Sequence, residues 1–456
     1  MSIKRLTTTN TKHLREIFVA GLLVLIVVVP FLIQPKAPPE LEKLYCVQFK
    51  DLLGPLHVNV NCDSYAFVQR ARDPELLLEP EDPRQGRPLY IVIGWALAKP
   101  FSILPPGLVG PLSPIGSHGG ALQFVPEYTG FLILNGLLLL ASTLLFRRLL
   151  GSTSLLSAWT LLPLVFLLSN QVTKVGFWTP HTNIFNIFVP VASMSLYCWM
   201  LPRLRTLTWL HFTFIGLLIG FGTLAYGSFA VTAGGAALCI LVGEGISALR
   251  ERVISKSFQS FLLLASFFLP TVVWVAIVTI LTGSFYSLEV EGYRQFVWLG
   301  DSLSQGANVL LHALSVNLHK YVFTIAQVVV IPCLALAFVV AVTLALSVSR
   351  QPDDLHRSRS FAVLLYVLPA ILFFGLMGFY QLRLSWSFVV PAVLLILGLE
   401  IRQLEVALVG KARFAVKASL IIVSAVYLAY WIFSSGPFGD VQWASPALDG
   451  FYGTYL

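Results

Sequence analysis

Long apolar runs alternate with short polar punctuation from one end of the chain to the other. A helix needs about 20 apolar residues to cross the hydrocarbon core of a bilayer, and shorter runs serve where neighbours shield their ends. On that rule spans are expected near 17–33, 89–104, 128–146, 153–169, 182–201, 208–223, 226–246, 259–282, 321–348, 360–379, 386–400 and 414–434. The stretch PPGLVGPLSPIGSHGGALQFV, 105–125, fits none of these. Such Pro- and Gly-rich backbone is tolerated at membrane depth only under cover of protein or water, so it reads as a poor thirteenth span or a re-entrant turn. The pattern predicts an all-α polytopic membrane protein of about 11–13 transmembrane helices, with a single transmembrane domain over 1–456. No internal repeat, heptad run or low-complexity tract interrupts it.

Polar residues gather in a first long loop, 34–88, a loop at 170–181, a second long loop, 283–320, and the short turn YQLRLSW. Within the first loop, Tyr65, Val68 and Ala71 recur at helical spacing with Phe67 beside them, while Gln69, Arg70 and Arg72 take the wetter side. Asp73-Pro74 should stop that helix. This is the pattern of a juxtamembrane helix lying in the interface plane.

Composition supports the membrane reading. The chain has 456 residues, 57% hydrophobic and 11% charged, with a mean hydropathy of +0.80. A soluble domain would carry about a quarter charged residues. The net charge of +8 does not point to nucleic acid, because the basic residues fall mainly in short loops between apolar runs. With the N-terminus inside, 18 of the 30 Lys and Arg collect on that side and 15 of the 22 acids on the other, as the positive-inside rule requires. No small-residue cleavage site follows 17–33, which reads as an uncleaved first span. The inner loops hold no P-loop and no GxGxxG, so chemistry is expected at the outer surface or in the outer leaflet, and a cytosolic nucleotide-driven machine is not. Cys198, Cys239 and Cys333 lie in apolar runs. Cys46 and Cys62 share the first loop and are the candidate pair for a disulfide if that loop faces an oxidising compartment.

Asp63 has two readings. It can cap the loop helix, or it can serve as a carboxylate base held at the membrane surface, where partial desolvation tunes it. In NQVTKVGFWTPHTNIFN, 170–186, Lys174, His181, Asn183 and Asn186 stand beside the outer ends of two spans, and one helical turn separates Thr182 from Asn186. His181 is read as an interfacial hydrogen-bonder or a substrate contact. No second His or Cys lies at metal-site spacing. In 283–320, Glu289, Glu291, Arg294 and Asp301 interleave with Tyr286, Tyr293, Phe296 and Trp298. Aromatics beside acids suit a sugar surface, since rings stack on C–H faces while carboxylates accept hydroxyl protons. An aromatic belt on an interfacial helix gives the same pattern. Glu289 and Arg294 are the substrate candidates there. Arg383, in the short turn, is read as contacting a lipid phosphate or snorkelling to the interface.

The order of motifs resembles the start of membrane glycosyltransferases of the GT-C superfamily, in particular bacterial relatives of protein O-mannosyltransferases and aminoarabinose transferases. The residues that carry it are Asp63, Ser64 and Tyr65 after the first span, then Arg87, Pro88 and Tyr90 in RQGRPLYIVIGWALAKPF, 84–101, then LLFRRLLGSTSLLSAWTLLPLVFLLSN, 144–170. Cys62 stands where many relatives carry a second acid, and Tyr65 comes one residue early. The resemblance covers about the first 200 residues. It implies transfer of a sugar from a polyprenyl-phosphate donor to a hydroxyl of a glycan, lipid or protein acceptor at the outer face of a bacterial inner membrane. It gives Asp63 the role of base, with Arg87 facing the donor phosphate and Tyr65 beside the substrate. It calls for no cofactor, with a divalent cation as an open alternative. A transporter or lipid-linked sugar flippase, suggested by GLLIGFGTLAYGSFAVTAGG, 216–235, and an outer-face polysaccharide polymerase or ligase are the other readings.

Overall fold

A computed structural model describes residues 3–33, 47–53, 56–103, 125–152, 154–155, 157–245, 250–345, 354–380 and 382–433. Each expected span has a helix. The first is α1 (Ile3–Val28). After the first loop come α3 (Pro88–Ala98), α4 (Val125–Leu149), α5 (Ala158–Leu168) and a short α6 (Gln171–Gly176). Then follow α7 (Phe185–Met200), α8 (Trp209–Thr223), α9 (Phe229–Val242) and α10 (Val253–Thr282). The chain continues with α11 (Val297–Gln305), α12 (Ala307–Ala345), α13 (Asp354–Met377), α14 (Leu382–Ala407) and α15 (Gly410–Phe433). Among the described residues, seven helices are long and apolar enough to cross a membrane. Phe214, Leu218 and Phe338 are each more than half exposed on the bundle's flank, a surface that suits lipid and not water.

The first loop holds two elements before its spans resume. An antiparallel hairpin of β1 (Val47–Leu53) and β2 (Leu56–Asn61) pairs Val47 with Asn61 and Leu53 with Leu56. This hairpin is a local addition to a chain that is otherwise helical among the described residues, as the all-α expectation has it. Its signal was present: Leu56, Val58 and Val60 alternate with His57, Asn59 and Asn61. Directly after it, α2 (Cys62–Arg72) is the expected loop helix. The proposed Cys46–Cys62 bridge lies outside the described residues, as does most of 105–125.

The helix ends sort onto two faces. On one, Arg359 Nε and Arg402 Nη1 donate to the carbonyls of Leu149 and Leu150 at 3.1 and 3.2 Å, and Lys256 pairs with Glu244 at 3.3 Å. On the other, Trp178 Nε1 donates to the carbonyl of Val28, Lys174 Nζ to that of Trp431 and Trp298 Nε1 to that of Leu376. We call the second the site face. Helix α3 is too short to cross the core unaided. At Gly94 there is room only for hydrogen against Phe131, and at Gly130 only for hydrogen against the backbone of Gly94 and Ala98. These contacts lie in the first two turns of α4, and Leu89 N–H donates to the carbonyl of Leu224 at the turn between α8 and α9. The segment 89–104, expected to cross, therefore stays near the site face.

The second long loop is mostly helical. A single π-turn, Leu288–Gly292, precedes α11, and 307–320 is the start of the 39-residue α12, about 58 Å long. Tyr321 packs on Tyr380, level with the end of α13, so the first turns of α12 extend past the ends of their neighbours. The turn YQLRLSW is shorter than expected, because α14 already begins at Leu382.

Candidate functional site

Helix α2 starts at Cys62, so Asp63 lies in its first turn, where a negative charge complements the helix dipole, and not in front of it. Its carboxylate is 30% exposed and points across the site face. One oxygen, Oδ1, accepts from Arg84 Nη2 in a close ion pair. The other, Oδ2, faces His181 Nε2 at 3.5 Å, the outer limit of hydrogen-bond range. His181 Nδ1 accepts the backbone N–H of Asn183 at 3.2 Å. That bond places the ring proton on Nε2, directed at Asp63.

Each partner of Asp63 is itself held. Arg84 sits over the Phe67 ring at 4.7 Å and is almost fully buried. Its loop is folded by Asp82, whose Oδ1 accepts the Arg84 N–H at 2.7 Å while Oδ2 takes Arg70 from α2, also at 2.7 Å. An Asx turn thus ties the loop to the helix that carries Asp63. Gln85 then anchors it to the second loop, its Oε1 accepting from Tyr286 N–H and its carbonyl from Trp274 Nε1. The stretch 170–181 is fixed from below by Asn135 on α4, whose Nδ2 lies within 3.2 Å of the carbonyls of Gly176, Phe177 and Thr179. Asn170 caps α6 by accepting from Thr173 N–H. Ser64 and Thr179 close the gap between α2 and this stretch with a hydroxyl–hydroxyl hydrogen bond.

Arg87 lies one loop turn beyond Arg84. Its guanidinium pairs with Glu289 Oε1 at 3.0 Å, donates to Thr182 Oγ1 at 2.6 Å and rests over the Tyr226 ring at 5.7 Å. Thr182 follows His181 directly, so the two charged groups are linked through adjacent residues: Asp63 to His181, Thr182 to Arg87, Arg87 to Glu289. A cavity of about 270 Å³ opens on the Arg87–Glu289 pair, walled by Tyr226, Trp274, Phe285, Phe296 and Phe373. Asp63 does not line it. The Ser228 hydroxyl does, buried and without a hydrogen-bond partner among the described residues. Below, Tyr226 OH donates to Asn186 Oδ1 at 2.6 Å.

The structure therefore brings Asp63, His181, Asn183, Arg87 and Glu289 together. Tyr65 packs half-buried against the core, and burial raises its phenol above the ordinary value. Arg294 pairs at 2.5 Å with Asp301, both half exposed, and does not line the cavity. The Arg383 side chain lies outside the described residues. Among the described residues, no group of three or more His, Cys, Asp or Glu is placed to hold a metal ion. Arg84 supplies positive charge beside Asp63 instead. Sequence reasoning did not single out Arg84, Asp82 or Tyr226. The one available signal was EDPRQGRP, a turn sequence unusually dense in charge for a site so near an apolar run.

Lys174 serves the scaffold: its Nζ donates to the carbonyl of Trp431 at 2.7 Å, and burial lowers its ammonium from 10.5 to about 8. A lysine whose folded value is depressed binds its proton less well than in the unfolded chain. Stability is therefore expected to rise with pH between about 8 and 10.5, the window set by those two values. Melting temperatures across that range should rise for the wild type and rise less for Lys174→Met.

Comparison with family models, with curated proteins and with solved structures finds no match to this chain.

Proposed function

We propose that this membrane protein is a GT-C-type glycosyltransferase that moves a sugar from a polyprenyl-phosphate donor to an acceptor hydroxyl, with Asp63 as the base. The observation that supports it most is the meeting, at one face of the bundle, of a carboxylate oriented by Arg84 and His181 with a part-buried arginine at the mouth of an aromatic cavity. A lipid-linked donor needs this combination. Its tail stays in apolar surroundings, its phosphate needs a cation, and its anomeric carbon must lie within reach of a base that waits at the water–lipid boundary.

In this reading Arg87 holds the donor phosphate, and Tyr226 and Phe296 flank the headgroup. Asp63 removes the acceptor's hydroxyl proton, the freed oxygen pair forms the new bond to the anomeric carbon, and the carbon–phosphate-oxygen bond breaks. Polyprenyl phosphate leaves with that electron pair, its negative charge met by Arg87. His181 is a positioning residue for Asp63, because its ring can only donate to the carboxylate while Asn183 occupies the other nitrogen. The basic face is cytoplasmic by the positive-inside rule, which puts the site on the outer side.

Purified protein in lipid, supplied with a polyprenyl-phosphate sugar and a pool of hydroxyl acceptors, is expected to release polyprenyl phosphate. Transport of the intact donor without release would favour a flippase. His181→Phe keeps the ring's packing against Phe67 but removes the donor. It is expected to lower kcat about tenfold with KM little changed. A fall in affinity alone would show that His181 binds substrate and does not orient the base.

A further inference from the structure

The Arg87–Glu289 pair is more than a structural tie, and the inference that follows rests on the proposed donor reading. Arg87 is the cation that opens onto the cavity, yet its charge is already met by Glu289 at 3.0 Å. Glu289 is not part of a rigid helix. It belongs to a single π-turn, Leu288–Gly292, a rare form frequently found at functional sites. Its carbonyl accepts the N–H of Gln295, and the chain around that bond is strained: Arg294 and Phe296, neither of them glycine, hold φ of 51° and 63°. Phe296 is also a cavity wall. Bulky residues in the left-handed region each cost on the order of 1 kcal/mol or more and persist only where contacts enforce them. Gly86 completes the arrangement, since a side chain there would press on Glu289 Oε2.

We propose that Glu289 is an electrostatic latch: it occupies Arg87 in the free protein and is displaced, together with the turn 287–296, by the phosphate monoester of an isoprenoid lipid. The ligand's charge decides the exchange. A phosphate monoester, the product released in the proposed transfer, carries about −1.5 to −2 charges near neutral pH and three acceptor oxygens, enough to outcompete one carboxylate for a guanidinium already aligned by Thr182 and Tyr226, whereas the donor, a phosphodiester with a single charge, shares Arg87 with Glu289. A lipid carboxylate, with the same charge as Glu289, gains nothing by the exchange. The latch thus selects lipid phosphate monoesters against fatty or isoprenoid acids, which would otherwise fill an aromatic cavity ending in arginine. Displacing the turn moves Phe296, so the cavity wall shifts when the phosphate monoester forms.

The test is binding of farnesyl phosphate and of farnesoic acid to the full chain in lipid nanodiscs. Glu289→Gln keeps the side chain's size and removes the competing charge. It is expected to tighten farnesyl phosphate roughly three- to tenfold and farnesoic acid by at least as much, which narrows the preference for phosphate. Glu291→Gln removes an equal charge one turn-position away, where among the described residues the carboxylate accepts only from Ser287 N–H, and should change neither affinity. Arg87→Lys, a conservative variant that keeps the charge, should weaken farnesyl phosphate while still binding it. Unchanged or weaker phosphate binding in Glu289→Gln with an unaltered melting temperature would overturn the latch, as would equal tightening by Glu291→Gln. Tightening without sugar transfer under any condition would leave the latch standing and remove the proposed reaction.

Discussion

Asp63→Asn is expected to lower sugar transfer by about three orders of magnitude while leaving the melting temperature within a few degrees of wild type, because a positioned general base contributes typically 10²–10⁴-fold. The amide has the carboxylate's shape and can still accept from Arg84 or His181, but it cannot take a proton from the acceptor. Stability should survive because the amide oxygen still accepts from Arg84, which is also held over the Phe67 ring. Asp63→Glu provides the complementary result. It retains the base but moves it by one methylene away from the Arg84 and His181 contacts, so activity should fall less than in Asp63→Asn. Rates of polyprenyl phosphate release check both variants, and equal activity in Asp63→Asn would remove Asp63 as the base.

The second large effect concerns the scaffold. Gly216 and Gly220, four apart on α8, face the backbone carbonyls of Leu263 and Phe267 on α10, and a side chain at either would overlap them. In a bilayer, helices gain from close backbone approach instead of from burying oil, so a small-residue stripe is what lets this pair form. Gly216→Leu should force the axes apart and cost about 3 kcal/mol or more. Function falls with it, since the turn after α8 seats Leu89 and presents Tyr226 beneath Arg87. Thermal melting and size-exclusion profiles in detergent should show a destabilised, partly aggregated protein for Gly216→Leu and a milder loss for Gly216→Ala. A wild-type melt for Gly216→Leu would contradict this account of the interface.

The spans were legible because runs such as 259–282 offer no alternative to helix in lipid, and their partners on the site face follow from parity. The segment 89–104 misled for a physical reason. Its hydropathy resembles that of a span, but Gly94 allows it to lie against Phe131 near the site-face end of α4, and such tertiary packing leaves no mark on hydropathy. The strand alternation in 56–61 was overshadowed by the helical chain around it. Asp63, His181, Arg87 and Glu289 were each visible as polar residues in the right loops. Their pairing was not, because Arg87 and Glu289 are 202 residues apart and meet only once α10 and the second loop fold back over the first. Arg84 escaped notice because its importance comes from burial over Phe67, which composition does not encode.

The most direct measurement uses a donor labelled separately in the sugar and in the polyprenyl phosphate, placed in the outer leaflet of vesicles that carry the purified protein. Transfer at this face predicts that the two labels part at a rate set by the enzyme, that polyprenyl phosphate accumulates as sugar enters the acceptor pool, and that Asp63→Asn stops the separation. Labels that stay together while crossing the bilayer, or that separate equally in wild type and Asp63→Asn, would contradict it.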